Sequence, residues 1–327
     1  MQTILTFIQN WNFILISAMS LTLIFLVHVF RTKKKELPFK YYKSIPNDYS
    51  PATVSFLLEG RITTKDITAT ILYLVEKGAI KYEFEDEQTF YRTFQKVDLT
   101  RSEKYLMDFL FDTVGNVNGK ANRFSIKDIS RYARRNASVF SEKYQTRHRI
   151  AIGEARENNF YGKHEIKEKI IIDISLLATM LAAYGIYSRI NFMMNGILMI
   201  LSVLVTVYFL KKQVRTEKGE EEYYKWLGLK NFLSDFGNFS ERDLPSIKIW
   251  EKFLVYSVSF GNAKELSEKM NAKVETIPVT VSIKNELIRV TNLLLSNTFW
   301  EFLYLLNISI NNMYFTSRSP FRKWFSL

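Results

Sequence analysis

The stretch that decides the fold is IIIDISLLATMLAAYGIY (Ile170–Tyr187), followed closely by INFMMNGILMILSVLVTVYFL (Ile190–Leu210). Each run can cross a hydrocarbon core about 30 Å thick at a rise of about 1.5 Å per residue. The cations that flank the pair lie at its open end: Lys163, Lys167, Lys169, Lys211, Lys212 and Arg215. The positive-inside rule makes that end cytoplasmic. The sequence therefore predicts a membrane hairpin with transmembrane helices at 169–187 and 190–210.

A third apolar run near the N-terminus predicts a transmembrane helix at residues 12–30, after a short extracellular tail, residues 1–11. The tail has no Lys or Arg, whereas a basic cluster, residues 31–35, follows the run. A signal peptide has the opposite order, with its basic residues first. We therefore expect a multi-pass cell-membrane protein with three spans, its N-terminus outside and its C-terminus cytoplasmic. The cytoplasmic segments would be residues 37–168 and 211–285.

The C-terminal region, residues 286–327, is apolar but contains several asparagines and Glu301. A fourth span over 287–315 would place Glu301 near the middle of the bilayer, at a cost of a few kcal/mol. It would also place the final cations, Arg318, Arg322 and Lys323, outside. We expect helices that lie on the inner membrane surface or pack on the cytoplasmic domain, and the fourth span stays open as an alternative.

Composition limits the chemistry. The chain has no cysteine, which excludes disulfides, thiolate catalysis and zinc sites that need cysteine. Its three histidines, His28, His148 and His164, lie in different segments. The formal net charge is +12, but anionic lipid attracts each Lys or Arg near a membrane by about 1 kcal/mol. The basic charge is therefore weak support for nucleic-acid binding, and no cofactor or metal is predicted.

The first cytoplasmic segment predicts a winged-helix-like module at residues 49–97. Ser50 and Pro51 open a short helix that Gly60 ends, and Thr63 or Thr64 caps a second helix that Gly78 ends. Alternating strands at 79–85 and 89–95 follow. The charges on the second helix, Lys65 and Lys77 against Asp66 and Glu76, cancel, and acids crowd the hairpin tip: Glu83, Glu85, Asp86 and Glu87. Because DNA affinity depends on attracting phosphate, these charges disfavour DNA binding.

Two further helices are predicted in this segment. Thr100 and Glu103 form a capping box for one, and Ser125 opens the other. The second carries many cations: Arg131, Arg134, Arg135, Lys143, Arg147 and Arg149. We expect this helix to face solvent or lipid, with RNA binding as the alternative.

In the second cytoplasmic segment, Pro245 is predicted to open a helix that Gly261 closes. Almost every side chain between them is apolar or aromatic. Such a helix must be buried nearly all round, because it has no polar face to turn towards water.

At these residues the chain resembles the YciQ-like predicted membrane proteins, a domain of unknown function (2207), over about residues 49–265. The matching positions are Ser50, Pro51, Ala52, Ala69, Thr70, Leu74, Gly78, Trp250, Glu251, Leu254, Tyr256 and Gly261. The resemblance implies an α-helical membrane protein with a cytoplasmic α+β domain built from two segments. Many members carry a large extracellular β domain before the first span, which we do not expect here. The family implies no established activity.

A search for chemistry gives no catalytic residue. Gly115–Ala121 lacks the Ser or Thr that a P-loop needs, and His164-Glu165 lacks the second histidine of a zincin motif. We therefore predict a membrane-tethered interaction or regulatory module that binds the lipid bilayer and, through its cytoplasmic domain, another protein. Alternatives are a membrane enzyme with an unrecognised site, a transport component that uses the intramembrane Asp173, and a membrane-anchored DNA-binding protein.

Overall fold

The computed structural model describes residues 19, 22, 38–84, 88–116, 119, 122–162, 166–188, 192–211, 214–274 and 281–295. The chain divides into two compact units. The hairpin unit comprises residues 1–37 and 161–216, and the two-segment unit comprises residues 38–160 and 217–327. The two-segment unit is therefore made of chain from both sides of the hairpin.

The described residues are mostly helical. The helices are α1 (Pro51–Glu59), α2 (Lys65–Glu76), α3 (Arg101–Asp108), α4 (Ile126–Arg135), α5 (Ala137–Glu157), α6 (Ile166–Tyr187), α7 (Phe192–Lys211), α8 (Glu217–Ser234), α9 (Trp250–Phe260), α10 (Ala263–Val274) and α11 (Val281–Leu295). A π-helical segment, Phe109–Gly115, continues α3. The strands β1 (Ile80–Phe84), β2 (Gln88–Arg92) and β3 (Arg123–Ser125) form one antiparallel sheet in the order β1-β2-β3.

Helix α1 begins and ends where the sequence predicts. The Ser50 hydroxyl accepts a hydrogen bond from the Thr53 N–H at 3.3 Å, and Pro51 follows as the first helical residue. Gly60 ends the helix in the left-handed region, at φ 69°. A residue with a Cβ would be strained there, which is why the helix stops at this glycine.

The start of α2 differs from the prediction. Thr64 precedes the helix but its side chain makes no capping hydrogen bond. Thr63 instead donates from both its N–H and its hydroxyl to the carboxylate of Asp66, in the first turn. The predicted capping by a threonine side chain is therefore wrong, because the Asp66 carboxylate accepts the hydrogen bonds at this helix start.

The sheet contains one strand that the sequence analysis missed. The β1–β2 hairpin agrees with the prediction, with Tyr82 opposite Phe90. Strand β3 pairs with β2 and places Phe124 opposite Phe90, and their rings stack at 5.0 Å. Three residues are too few to show an alternating pattern, so β3 has no signal in the sequence. The predicted capping box after it is present, between Ser125 and Asp128 of α4.

Helices α6 and α7 form an antiparallel pair, and each contains a segment long and apolar enough to cross a membrane. Small and hydroxyl side chains line the contact between them. Ser175 and Thr206 share a hydrogen bond of 2.7 Å, and Thr179 and Ser202 share one of 2.8 Å. The buried residues of one cluster are Ala178, Ala182 and Leu198, with Met19, Met194 and Leu201 packed against them. Such a seam is typical of helix pairs in lipid.

The outer surface of this helix pair is apolar. Met180, Leu177 and Leu204 are 69%, 57% and 62% exposed. A continuous surface of this kind is unfavourable in water and carries no such penalty against lipid tails. Of the predicted first span, residues 12–30, the described residues include only Met19 and Thr22, which are both helical.

Helix α9 is buried nearly all round, as predicted. Trp250, Phe253 and Leu254 are fully buried, and the helix packs against α2. The predicted start of this helix at Pro245 is wrong. A 3-10 turn at Ile247–Ile249 precedes α9, and the Pro245 carbonyl accepts a hydrogen bond from the Trp250 indole at 3.1 Å. The role of Pro245 is therefore to accept a hydrogen bond from Trp250, the residue at which the helix begins.

Helix α11 packs against α10. The Thr291 hydroxyl donates to the Asn271 side chain at 2.7 Å, and Leu287, Val290 and Leu294 are buried. The predicted domain boundary at residue 286 falls within this helix. Residues 296–327, including most of the alternative fourth span, lie outside the described residues.

The two segments of the two-segment unit meet where the chain leaves for the hairpin and returns from it. Gly219, in the first turn of α8, lies against Phe160, and a Cβ at Gly219 would overlap the Phe160 carbonyl oxygen. That oxygen belongs to the backbone, so no change of side-chain rotamer can relieve the overlap. Only glycine fits this close approach.

We predict that Gly219→Ala lowers the free energy of unfolding by about 2 kcal/mol or more, because the backbones of Phe160 and α8 must separate. Gly153→Ala in α5 is the matched control, since nothing lies near its Cβ position. The control should be neutral or stabilising by up to about 1 kcal/mol. Denaturant unfolding of the purified full chain in detergent measures both, and equal effects would contradict the close approach.

Candidate functional site

A buried carboxylate lies inside the two-segment unit. Asp66 of α2 is 0% exposed. The Ser55 hydroxyl of α1 donates to its Oδ1 at 2.5 Å, and the Thr63 hydroxyl donates to its Oδ2 at 3.0 Å. Burial raises the pKa of this carboxyl, and these hydrogen bonds oppose the rise. The site thus holds an acid whose charged form is costly.

A buried cation lies next to it. Arg147 of α5 is 3% exposed, and its Nη2 donates to the Thr70 hydroxyl of α2 at 2.7 Å. Thr70 in turn donates to the main-chain oxygen of Asp66 at 2.5 Å. Burial lowers the pKa of the Arg147 guanidinium, and the charge of Asp66 opposes that shift. The two buried residues are connected through Thr70, and the charge of each favours the ionised form of the other.

A small cavity adjoins this pair between α2, α3, α4 and α5. Its volume is about 20 Å³, which is room for about one water molecule. The Nε of Arg147 is buried without a hydrogen-bond partner. The lining residues that matter most are Ile71, Leu106, Phe109, Tyr144 and Arg147. The wall of the cavity is therefore apolar, although Arg147 is among its lining residues.

His148 lies beside this cavity wall. Its ring stacks on Tyr144 with the ring centres 5.8 Å apart. Burial lowers the pKa of His148, and the charge of Arg147 lowers it further. The neutral imidazole is therefore favoured at this position.

The structure places six of the twelve family-motif residues in the interiors of α2 and α9, two helices that pack against each other. Ala69, Thr70 and Leu74 are fully buried on α2, and Trp250, Leu254 and Tyr256 are buried on α9. The Tyr256 hydroxyl donates to the Tyr49 carbonyl at 2.8 Å, which joins the second segment to the first. These side chains hold the interior of the unit.

The remaining motif residues lie at the ends of helices. Ser50 and Pro51 begin α1, while Gly78 and Gly261 have φ values of 76° and 83°. Gly261 ends α9 by donating its N–H to the Ser257 carbonyl at 2.9 Å. Glu251, in the first turn of α9, is half-buried. These residues set where elements start and stop.

Asp173, the predicted intramembrane candidate, lies on α6 of the hairpin unit. It is exposed, whereas Ser175, two residues further, is buried in the seam and bonded to Thr206. The structure therefore places Asp173 on the outer surface of the helix pair and not among its buried hydroxyl groups.

The sequence analysis missed the pair formed by Asp66 and Arg147. It counted Asp66 only among the charges that cancel on the second helix, and its expectation that the helix carrying Arg147 faces solvent or lipid is wrong for Arg147, which is buried. In the sequence Arg147 is one of several cations that otherwise look alike. Only the packing of α5 in the fold distinguishes this buried arginine from exposed ones such as Arg149. One pattern in the sequence could have indicated that Asp66 binds its own chain: Thr63 lies three residues before it, which is the spacing of a capping box. Within the part of the chain that the structure describes, no three metal-ligating side chains converge.

A helical unit made from two segments, interrupted by an apolar helical hairpin, defines a class of membrane protein. The comparisons agree, because the family model for the predicted membrane protein (DUF2207) C-terminal domain matches residues 39–270. The chain belongs to this family, which confirms the resemblance seen in the sequence. No curated protein and no solved structure matches the chain.

We predict that Arg147→Met lowers the free energy of unfolding by about 1.5–3 kcal/mol, because Thr70 loses a hydrogen bond from a charged group and Asp66 loses a nearby cation. Because the folded pKa of Asp66 is already raised, the folded state binds the extra proton. The loss should therefore shrink as pH falls from neutral and grow as pH rises. Denaturant unfolding at several pH values measures this.

Arg149→Met, at an exposed cation of the same helix, is the control and should change stability by no more than about 0.5 kcal/mol. Asp66→Asn combined with Arg147→Met should cost less than the sum of the single changes. Additive effects, or equal losses for Arg147→Met and Arg149→Met, would contradict the buried pair.

Proposed function

We propose that the chain is a multi-pass cell-membrane protein whose two-segment unit is a cytoplasmic interaction or regulatory module. The observation that carries the proposal is the tether. The two-segment unit has one interior, built from the chain before and after the apolar hairpin. The chain segments that enter and leave the hairpin are joined by a hydrogen bond, in which the Gly162 N–H donates to the Val214 carbonyl at 2.9 Å. Such a unit stays attached at two points to one end of the helix pair.

The proposed topology has three spans, an external N-terminus and a cytoplasmic C-terminus. Lys169 near the start of α6 and Lys211 at the end of α7 lie at the open end of the pair, and both are exposed. Cations near the ends of spans favour the cytoplasmic side. The third span is supported by the apolar run at 12–30 and by Met19, which packs against the seam of the helix pair.

This topology is testable because the chain has no cysteine. Ser188→Cys places a thiol at the turn between α6 and α7, and Lys104→Cys places one on the exposed side of α3. A membrane-impermeant maleimide added to intact cells should label only residue 188. It should label both residues after the cells are opened. Labelling of residue 104 in intact cells would overturn the topology.

The proposed partner is another protein, and the first segment offers a surface for it. The order α1, α2, β1, β2 supports a winged-helix-like arrangement, here used for packing and protein binding. Phe94 follows β2 and is 89% exposed. An exposed aromatic side chain is the type of residue that anchors protein interfaces. The acid Glu83 pairs with Lys81 on the same strand, so the hairpin offers phosphate no strong attraction.

Site-specific photo-crosslinking tests this role. A benzophenone amino acid at position 94 should give one discrete protein adduct in living cells, and the same group at Val139 on α5, which is also exposed, should not. Phe94→Ala should reduce recovery of the same partner by about tenfold or more, as loss of an interface anchor does. Identical adducts from both positions, or none from residue 94, would contradict the proposed surface.

A second proposal is a membrane enzyme with its site at the cavity beside Arg147. One observation favours it, a buried arginine, Arg147, among the residues that line an apolar cavity. At about 20 Å³ the cavity would have to open before it could admit a substrate. A transport role has less support, since Asp173 lies on the exposed surface of α6.

A further inference from the structure

Helix α4 presents an exposed face made only of cations. Its four exposed residues are Lys127, Arg131, Arg134 and Arg135. Their spacing, i, i+4, i+7 and i+8, places them on one side of the helix. The buried residues form the opposite side: Ile126, Asp128, Ile129, Tyr132 and Ala133. The helix is therefore amphipathic, with a fully basic outer surface.

The acidic group of α4 does not lie on this exposed surface. The one acid of α4, Asp128, is 1% exposed. It serves the capping box with Ser125 and pairs with Arg131 at 3.1 Å. In the described part of the chain, Arg134 and Arg135 have no carboxylate within ion-pair distance. Arg134 and Arg135, at the end of the face, are therefore open to an external anion.

We propose that this cationic face binds the anionic lipid headgroups of the bilayer that holds the protein. The composition of the face favours lipid over the alternatives. Protein interfaces are rich in aromatic residues, which this face lacks, and nucleic-acid readers add stacking rings or amides for the bases. Headgroup phosphates need only positive charge, and arginine binds phosphate through two parallel hydrogen bonds.

The tether strengthens this argument. A unit held to the membrane by the hairpin experiences headgroups at a high effective concentration, so weak charge contacts suffice. The inference therefore rests on the proposed membrane anchoring. The contacts would restrain the two-segment unit and make its presentation to a partner depend on the anionic lipid content of the membrane.

The test uses the full chain in lipid nanodiscs. Ser138→Cys adds a single exposed thiol just beyond Arg135, and a fluorophore is attached to it. The discs contain phosphatidylcholine alone or with phosphatidylglycerol, plus a lipid that carries a quencher on its headgroup. We expect several-fold stronger quenching with phosphatidylglycerol. Salt should remove the difference, because ions screen such contacts beyond about 10 Å.

Two matched variants make the test specific. The first replaces the cationic face, with Lys127, Arg131, Arg134 and Arg135 all changed to Gln. The second removes equal charge from exposed positions elsewhere in the unit, with Lys104, Arg242, Lys248 and Lys264 all changed to Gln. The first variant should weaken the phosphatidylglycerol-dependent association by about tenfold or more, and the second should leave it near its original strength.

Three outcomes would overturn the proposal. Quenching could be the same in both lipids, or both variants could lose it equally. The fluorescence of the label could also be independent of lipid charge and change instead on addition of a single-stranded RNA oligonucleotide or an acidic peptide. Nanodiscs expose both membrane faces, so the test does not depend on the orientation of the protein in cells. A negative result in this test would contradict the lipid-binding proposal alone, because the cysteine labelling tests the topology independently.

Discussion

The packing of α2 against α9 is the contact on which the two-segment unit depends. The two helices lie on opposite sides of the hairpin in the sequence, yet Leu74 and Leu254 are both 0% exposed within one interior. Because α9 has almost no polar face, it cannot remain solvated alone, and burial of its side chains is the main stabilising term. The entropy cost of closing a long connection grows slowly with its length. An inserted membrane hairpin is therefore compatible with a stable shared core.

The two units follow opposite packing rules. In the two-segment unit the large side chains, such as Trp226 and Phe253, are buried. In the hairpin unit many large apolar side chains, such as Met180 and Leu204, are exposed, although Phe209 is buried with the small residues Ala178 and Ser175. Lipid tails are as apolar as leucine, so helices in lipid associate through close backbone contact and hydroxyl bonds. The exposed apolar side chains of the helix pair fit the description of the family as predicted membrane proteins.

Much of the fold was predictable because it depends on local chemistry. The glycines after α1, α2 and α9 end these helices through conformations that few other residues adopt, and the capping box of α3 is present as predicted. The missed features depend on distant partners. Strand β3 is a strand only because β2 lies beside it, and Trp250 begins α9 above the Pro245 carbonyl. The candidate site was hidden for the same reason, since a buried arginine and an exposed one look alike in a sequence.

The positions of the family-motif residues bear on where function resides. Thr70, Trp250 and Tyr256 are buried, and Gly78 and Gly261 set helix ends, so these residues account for the fold of the unit. Buried residues and helix-ending glycines maintain the packing of the unit, whereas binding depends on side chains that are accessible to a partner. In the two-segment unit the reachable features are of different chemistry, an aromatic side chain at Phe94 and the basic face of α4. We propose that the first binds a protein and the second binds the membrane, so that the lipid composition affects the binding of the partner.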